Sequence, residues 1–276
     1  MQHLQWFPGH MTAAVRMMEE NVKIVDGVIV ILDARAPIAS LNPKLDKLFE
    51  NKKVLYVINK SDLVEKEDTK KTLATFIAEG KTAVAISAMN KRSVDLLYQK
   101  IFDLLKEKIE KYKIKGINKP IRVMVAGIPN TGKSTIINAL FGGKKATTGN
   151  KAGVTKGKQW VKLNDLELLD TPGTMPPAFS DQRLAIHLAY IGSMNDANLD
   201  FSDLAYEFLK EMKIKYPKLL KEKYGIEDAD EDLELFNKVC ARRGFLLRGG
   251  EYDYERCATA IIDDFRKGRI GKIILD

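Results

Sequence analysis

Three unbroken apolar runs mark the first third of the chain: Val28–Leu32, Val54–Ile58 and Ala83–Ile86. They stop at Asp33, Asn59 and Ser87 respectively. Runs of this kind, rich in β-branched residues and without polar alternation, predict parallel strands covered on both faces. Their polar terminators then gather at the carboxyl ends of the strands, where open α/β sheets bind ligands. From Ser93 to about Lys113 the spacing turns helical, with Val94, Leu97, Ile101, Leu104, Leu105 and Ile109 on one side. Lys113–Pro120 reads as a connector and Ile121–Ala126 as a fourth strand. Trp160–Leu163 and Leu166–Leu169 flank Asn164-Asp165 as a hairpin. Beyond about Ser180 strand signals vanish, and Asp203–Leu209, Asp232–Cys240 and Tyr254–Phe265 carry helical periodicity. The pattern predicts an α/β unit over residues 1–178, with an N-terminal segment 1–20, followed by an all-α domain over residues 179–276. No internal repeat is visible.

Chemistry collects at the strand ends. Gly127-Ile-Pro-Asn-Thr-Gly-Lys-Ser134 follows the fourth strand and opens a helix, the setting required of a G-x-x-x-x-G-K-S phosphate loop. Backbone N–H groups of such a loop wrap a phosphate chain at the positive end of the helix. Asn130, Thr131, Gly132, Lys133, Ser134 and Thr135 are the candidate phosphate contacts; Lys133 also serves catalysis, and Ser134 offers a hydroxyl to Mg²⁺. These features define an α/β P-loop NTPase with a mostly parallel sheet.

Asn59-Lys-Ser-Asp62 matches the N-K-x-D motif that reads guanine. One carboxylate, Asp62, can accept both the N1–H and the 2-amino hydrogens of guanine; adenine would leave it unpaired, at a cost of about 1–3 kcal/mol or more. Lys60 would lie along the base and Asn59 would brace neighbouring loops. Ser87-Ala88 resembles the S-A-K motif whose backbone N–H meets guanine O6, with Met89 where Lys is usual. Asp170-Thr-Pro-Gly173 matches D-x-x-G: Asp170 is a candidate Mg²⁺ carboxylate and Gly173 a γ-phosphate sensor. Lys144 to Lys162 contains no acidic residue and has three glycines, which suits a phosphate-facing loop; Thr155 within it is the candidate Mg²⁺ cap.

Composition narrows the picture. The chain has 276 residues, 45% hydrophobic and 30% charged, the balance of a folded protein. Two cysteines supply neither a disulfide framework nor a zinc site, and read as reduced thiols in an intracellular domain. The N-terminus resembles no leader, and no stretch is long enough to span a bilayer, so a cytoplasmic protein is expected. The net charge is +8, which favours polyanionic partners. Residues from Asp181 onward hold 16 basic and 19 acidic side chains, so the excess sits on the first 180 residues. In the tail, Lys210–Lys223 and Arg266–Lys272 are basic runs that could grip RNA phosphates.

The motif order is inverted: the base reader precedes the phosphate loop, whereas ordinary small GTPases have the reverse. Parallel strands deliver ligands from their ends whatever the chain order, so circular permutation preserves the site. It also makes Asp170–Gly173 feed into the helical tail through Thr174–Ser180. With Trp6-Phe-Pro-Gly-His-Met11, Asp33-Ala-Arg-Ala-Pro37 and Gly153-Val-Thr155, the chain resembles the circularly permuted GTPases, most closely the bacterial ribosome biogenesis GTPase A family. The resemblance implies a GTP-hydrolysing factor in late maturation of the large ribosomal subunit. Such a factor binds the precursor and its rRNA in the GTP state, is stimulated by the subunit and is released after hydrolysis.

It also implies GTP/GDP and Mg²⁺ as cofactors, and a histidine from the N-terminal segment, matched by His10, acting on water. An imidazole titrating near neutrality suits that task; packing beside Trp6 and Phe7 is the plainer role. Thr174 stands where Ras-like enzymes place a glutamine and the resembling family a bulky apolar residue, so slow basal turnover is expected. Asn130 resembles the asparagine with which some GTPases hold K⁺; a turn asparagine after Pro129 is the alternative. A monomer is expected. The rival function is a GTP-regulated RNA-binding scaffold or checkpoint with incidental turnover. A GTPase acting on tRNA or a protein would show no ribosome association.

Overall fold

The computed structural model describes residues 9–142, 159–163, 165–176, 179, 181–227 and 230–276. Helix α1 (Gly9–Asn21) leads into β1 (Gly27–Asp33), followed by α2 (Pro43–Phe49), β2 (Lys53–Asn59), α3 (Lys66–Ala78) and β3 (Thr82–Ala85). Next come α4 (Lys91–Leu104), α5 (Lys106–Ile114), β4 (Ile121–Ala126), α6 (Lys133–Leu140), β5 (Gln159–Leu163) and β6 (Leu166–Asp170). Helices α7 (Gln182–Tyr190), α8 (Phe201–Lys215), α9 (Pro217–Tyr224), α10 (Asp232–Arg243) and α11 (Tyr254–Arg266) complete the chain.

The strands form one sheet in the order β3-β2-β1-β4-β6-β5, parallel except for the β5–β6 hairpin. Successive residues of each strand enter different cores, which is why the runs lack polar positions. Ile29, Ile31, Val123 and Val125 pack with Leu97 and Ile101 of α4 and Ile136 of α6. Val28, Val30, Leu32 and Met124 pack on the other face with Met18 of α1, Phe49 of α2 and Phe76 of α3. A third cluster fills the helical region and also takes in Met11, Ala36, Ile128 and Met175. Among the described residues no helix is long and apolar enough to cross a membrane.

The helix expected from Ser93 to Lys113 is two helices. Leu105, at φ −103° and ψ 10°, breaks it. Its side chain turns onto the start of β1, where Gly27 leaves room: a Cβ there would lie 2.9 Å from Leu105 Cδ2. Helix α3 carries no clear apolar stripe. Only Phe76 of α3 is buried, so a mostly exposed helix hides its periodicity.

Candidate nucleotide-binding site

Register puts the strand ends together. Asp33 pairs with Asn59 across β1 and β2, and Asp170 with Val125 across β6 and β4. Between them lies the loop from Gly127 to Ser134. Gly132 enters α6 at φ 94°, a left-handed conformation that favours glycine. A Cβ at Gly132 would stand 2.4 Å from Asn59 Nδ2, so the base-reader strand and the phosphate loop meet where no side chain fits. Asn130 is also left-handed, at φ 61°, which asparagine tolerates better than most residues.

Asn59 joins three loops. Its Nδ2 donates to Thr131 O at 2.8 Å, and its Oδ1 accepts from Ala88 N–H at 3.1 Å. Ser61 N–H donates to Ile86 O at 3.1 Å, docking Ser61-Asp62-Leu63 against the end of β3. Lys60 adopts φ 63° and donates from Nζ to Asn130 O at 2.8 Å and Asp33 Oδ2 at 2.7 Å. Asp62 is exposed, Ser87 is buried and Ala88 is half-buried, while Met89 is 84% exposed and offers little packing.

Lys133 is buried, and its Nζ donates to Ile128 O at 2.7 Å and Gly127 O at 3.3 Å, folding the amine back under its own loop. Burial pushes its pKa down to about 8, with Asp170 opposing the shift. Thr131 Oγ1 donates to Ile128 O at 3.1 Å and stiffens the same turn. Thr135 lies in the first turn of α6, half-buried. Ser134 Oγ donates to Asp170 Oδ2 at 3.1 Å, so a hydroxyl and a carboxylate stand side by side at the helix start. Two hard oxygen donors beside a phosphate loop are the donor set Mg²⁺ takes. Gly173 lies against the loop: a Cβ there would meet Pro129 N at 2.6 Å. The next residue, Thr174, is fully buried. Its N–H donates to Gly127 O at 3.2 Å, and its Oγ1 has no hydrogen-bond partner among the described residues. The His10 side chain, Trp6, Phe7, Thr155 and most of the 144–162 loop lie outside the described residues.

Sequence reasoning gave no role to Asp33 and Arg35, yet both charges are buried at the site, 0% and 2% exposed. Arg35 donates Nε and a terminal nitrogen to the two Asp33 oxygens at 2.9 and 2.7 Å, and the other terminal nitrogen to Arg266 O at 3.1 Å. Burial alone would raise the Asp33 carboxyl, but Arg35 and Lys60 outweigh it and hold it well below the usual carboxylate range. The signal available was a buried strand ending in aspartate. The helical half also touches the phosphate loop: Asn130 Nδ2 donates to Gly192 O at 2.5 Å and Ser193 Oγ to Pro129 O at 2.8 Å. Near the base reader, Ile273 N–H donates to Leu63 O at 3.2 Å and Leu275 N–H to Arg35 O at 2.7 Å.

A phosphate loop, a guanine-reading loop and a D-x-x-G turn, assembled at strand ends in permuted order, define a circularly permuted P-loop GTPase. Comparison with known proteins narrows the class. The family described as 50S ribosome-binding GTPase matches residues 122–238. Ribosome biogenesis GTPase A of Bacillus cereus is 39% identical over 276 residues, spanning 99% of this chain and 93% of that protein. The protein of the same name from Priestia megaterium is 39% identical over 277 residues, spanning 99% of this chain and 96% of its own length. Among solved structures, GDP-bound TM YlqF superposes with a TM-score of 0.65 at 25% identity, covering 95% of this chain and 98% of its own. The chain belongs to the ribosome biogenesis GTPase A family, and it is a GTPase that takes guanine nucleotides.

Proposed function

We propose that this GTPase is an assembly factor for late maturation of the large ribosomal subunit, binding the precursor and its rRNA in the GTP state and leaving after hydrolysis. The names of its relatives support the ribosomal role. The observation that carries the nucleotide chemistry is Asn59, one side chain bonded to both the phosphate loop and the loop of Ala88. In this reading Asp62 pairs with guanine, Lys60 lines the base, and Ser87-Ala88 present backbone to its carbonyl. Asn130 to Thr135 and Gly173 surround the phosphates, with Lys133 charging against them.

Mg²⁺, when bound, neutralises phosphate charge; Ser134, Asp170 and Thr155 are the residues assigned to it. Asn130 is the assigned K⁺ ligand through its side-chain oxygen, its amide nitrogen being turned to Gly192. Residues 1–178 form the GTPase domain and 179–276 the ribosome-facing helical domain. Thr174 offers a short buried hydroxyl where a water-orienting carboxamide would be needed, so basal turnover is slow and the subunit stimulates it. His10 is the assigned water-orienting group. In support, Met11, its neighbour in α1, accepts a hydrogen bond at Sδ from Met175 N–H at 3.4 Å, one residue past Thr174.

GTP turnover with and without purified large-subunit precursors tests the proposal. Stimulation that His10→Ala abolishes is expected. Unchanged turnover, with sedimentation on the precursor that still depends on GTP, would favour a scaffold; no association in either nucleotide state would remove the ribosomal role. Replacing K⁺ by Na⁺ in the same assay tests Asn130, and slower turnover in Na⁺ is expected.

A further inference from the structure

The positive excess is not where the tail's basic runs suggest. In Lys210–Lys223 and Arg266–Lys272, every basic side chain except Lys218 lies within 4.0 Å of a carboxylate. Arg266 is gripped by both Asp196 oxygens at 2.7 and 2.8 Å, and Arg269 bridges Asp263 and Asp264. These cations are engaged within the protein.

Helix α5 and the turn after it are the opposite case. Lys106, Lys108, Lys111, Lys113, Lys115 and Lys119 are all exposed and face only Glu107 and Glu110 in their own segment. Among the described residues, Lys108 alone of the six approaches a carboxylate, Asp26 at 3.9 Å. Lys108, Lys111 and Lys115 recur at helical spacing on one face. The platform beneath them is fixed. Tyr112 donates its hydroxyl to Asp26 Oδ1 at 2.5 Å, and Asp26 Oδ2 accepts from Arg122 N–H at 2.9 Å, joining α5 to the first residues of β4. Gly116 N–H to Lys113 O and Ile117 N–H to Tyr112 O, at 3.0 and 2.9 Å, close the helix end. Lys119 lies 4.4 Å over the Tyr112 ring. The surface sits at the amino end of the sheet, away from the nucleotide loops.

We infer that α5 and its following turn form an RNA-binding surface that contacts the phosphate backbone of structured rRNA. This rests on the ribosomal reading above and adds a contact on the GTPase half. Unpaired lysines release counterions when they meet phosphates, whereas a paired one must first leave its carboxylate. A lipid surface fits less well. The apolar side of α5, Ile109 and Tyr112, packs inward on the sheet, leaving Ile114 and Ile117 exposed without a continuous apolar face.

The test measures binding of the full chain, loaded with a non-hydrolysable GTP analogue, to purified large-subunit precursors and to protein-free large-subunit rRNA across a salt series. In Lys111→Gln/Lys113→Gln/Lys115→Gln the slope of log affinity against log salt should fall by about 2–3, and affinity near 0.1 M salt by about 100-fold. Lys47→Gln/Lys70→Gln/Lys71→Gln removes equal charge elsewhere and should change affinity less than threefold. Thermal melts and basal turnover should match wild type in both variants. Wild-type binding that the α5 variant retains, or loses no more than the control variant, would overturn this inference alone. Absence of wild-type binding would remove the ribosomal reading and the inference together. Binding to phosphatidylglycerol vesicles but not to rRNA would overturn it in favour of a lipid surface.

Discussion

The two ends of the sheet use the same side chain in opposite ways. At the carboxyl end Lys60 and Lys133 are drawn in among backbone carbonyls and carboxylates, each with two acceptors within 3.3 Å. At the amino end the lysines of α5 stand in solvent, and among the described residues only Lys108 of them approaches a carboxylate. Burial makes a cation position-specific, because desolvation must be offset by fixed acceptors; exposure makes it exchangeable and sensitive to salt. One end is built to recognise a small molecule and the other to meet an extended polyanion.

That contrast implies large effects from single changes at the carboxyl end and small, cumulative ones at the amino end. Arg35→Ala strands a buried Asp33 with Lys60 alone and should lower stability by about 3–5 kcal/mol in urea unfolding. A loss below about 1 kcal/mol would mean that the pair is dispensable. Lys133→Ala should reduce kcat/KM for GTP by about 100–1000-fold while the fold survives by circular dichroism. Asp62→Asn should weaken GTP binding by about 10–100-fold and narrow the preference for guanine over adenine, read by calorimetry with both nucleotides.

Protonation gives the next step down. With Lys133 near pKa 8 in the free site and a phosphate favouring its charged form, GDP affinity should be flat below about pH 8. Above it binding takes up a proton, and affinity should fall about tenfold by pH 9. A flat profile through pH 9 would show that the buried amine is already fully charged. Smallest of all, Lys113→Gln alone should weaken rRNA binding by about fivefold at 0.1 M salt and leave nucleotide affinity unchanged. A single-lysine effect as large as that of Lys133→Ala would erase the distinction between the two ends.

The α/β architecture was legible because each buried strand announces itself as a run, and because Gly127–Ser134, Asn59–Asp62 and Asp170–Gly173 each carry a spacing dictated by phosphate or base geometry. The break at Leu105 was not legible. Leu104, Leu105 and Ile109 satisfy one continuous helical stripe, and only the space above Gly27 decides that Leu105 turns inward. The pairing of the tail's basic runs was legible only in part: Glu211–Lys215 and Asp263–Lys267 stand four residues apart on their helices, a readable spacing, whereas Asp196 reaches Arg266 across 70 residues.

The sequence by itself therefore determined the strand runs, the nucleotide motifs and their permuted order, all of which are local and set by residue type at fixed spacing. Tertiary structure decided which charges meet. It joined Asp33 to Arg35 and Lys60, turned Asn59 toward two other loops, and left the α5 lysines facing water. Lys60 and Asp33 lie 27 residues apart and Asn59 and Thr131 lie 72 apart, separations at which spacing carries no information and only packing sets the distance.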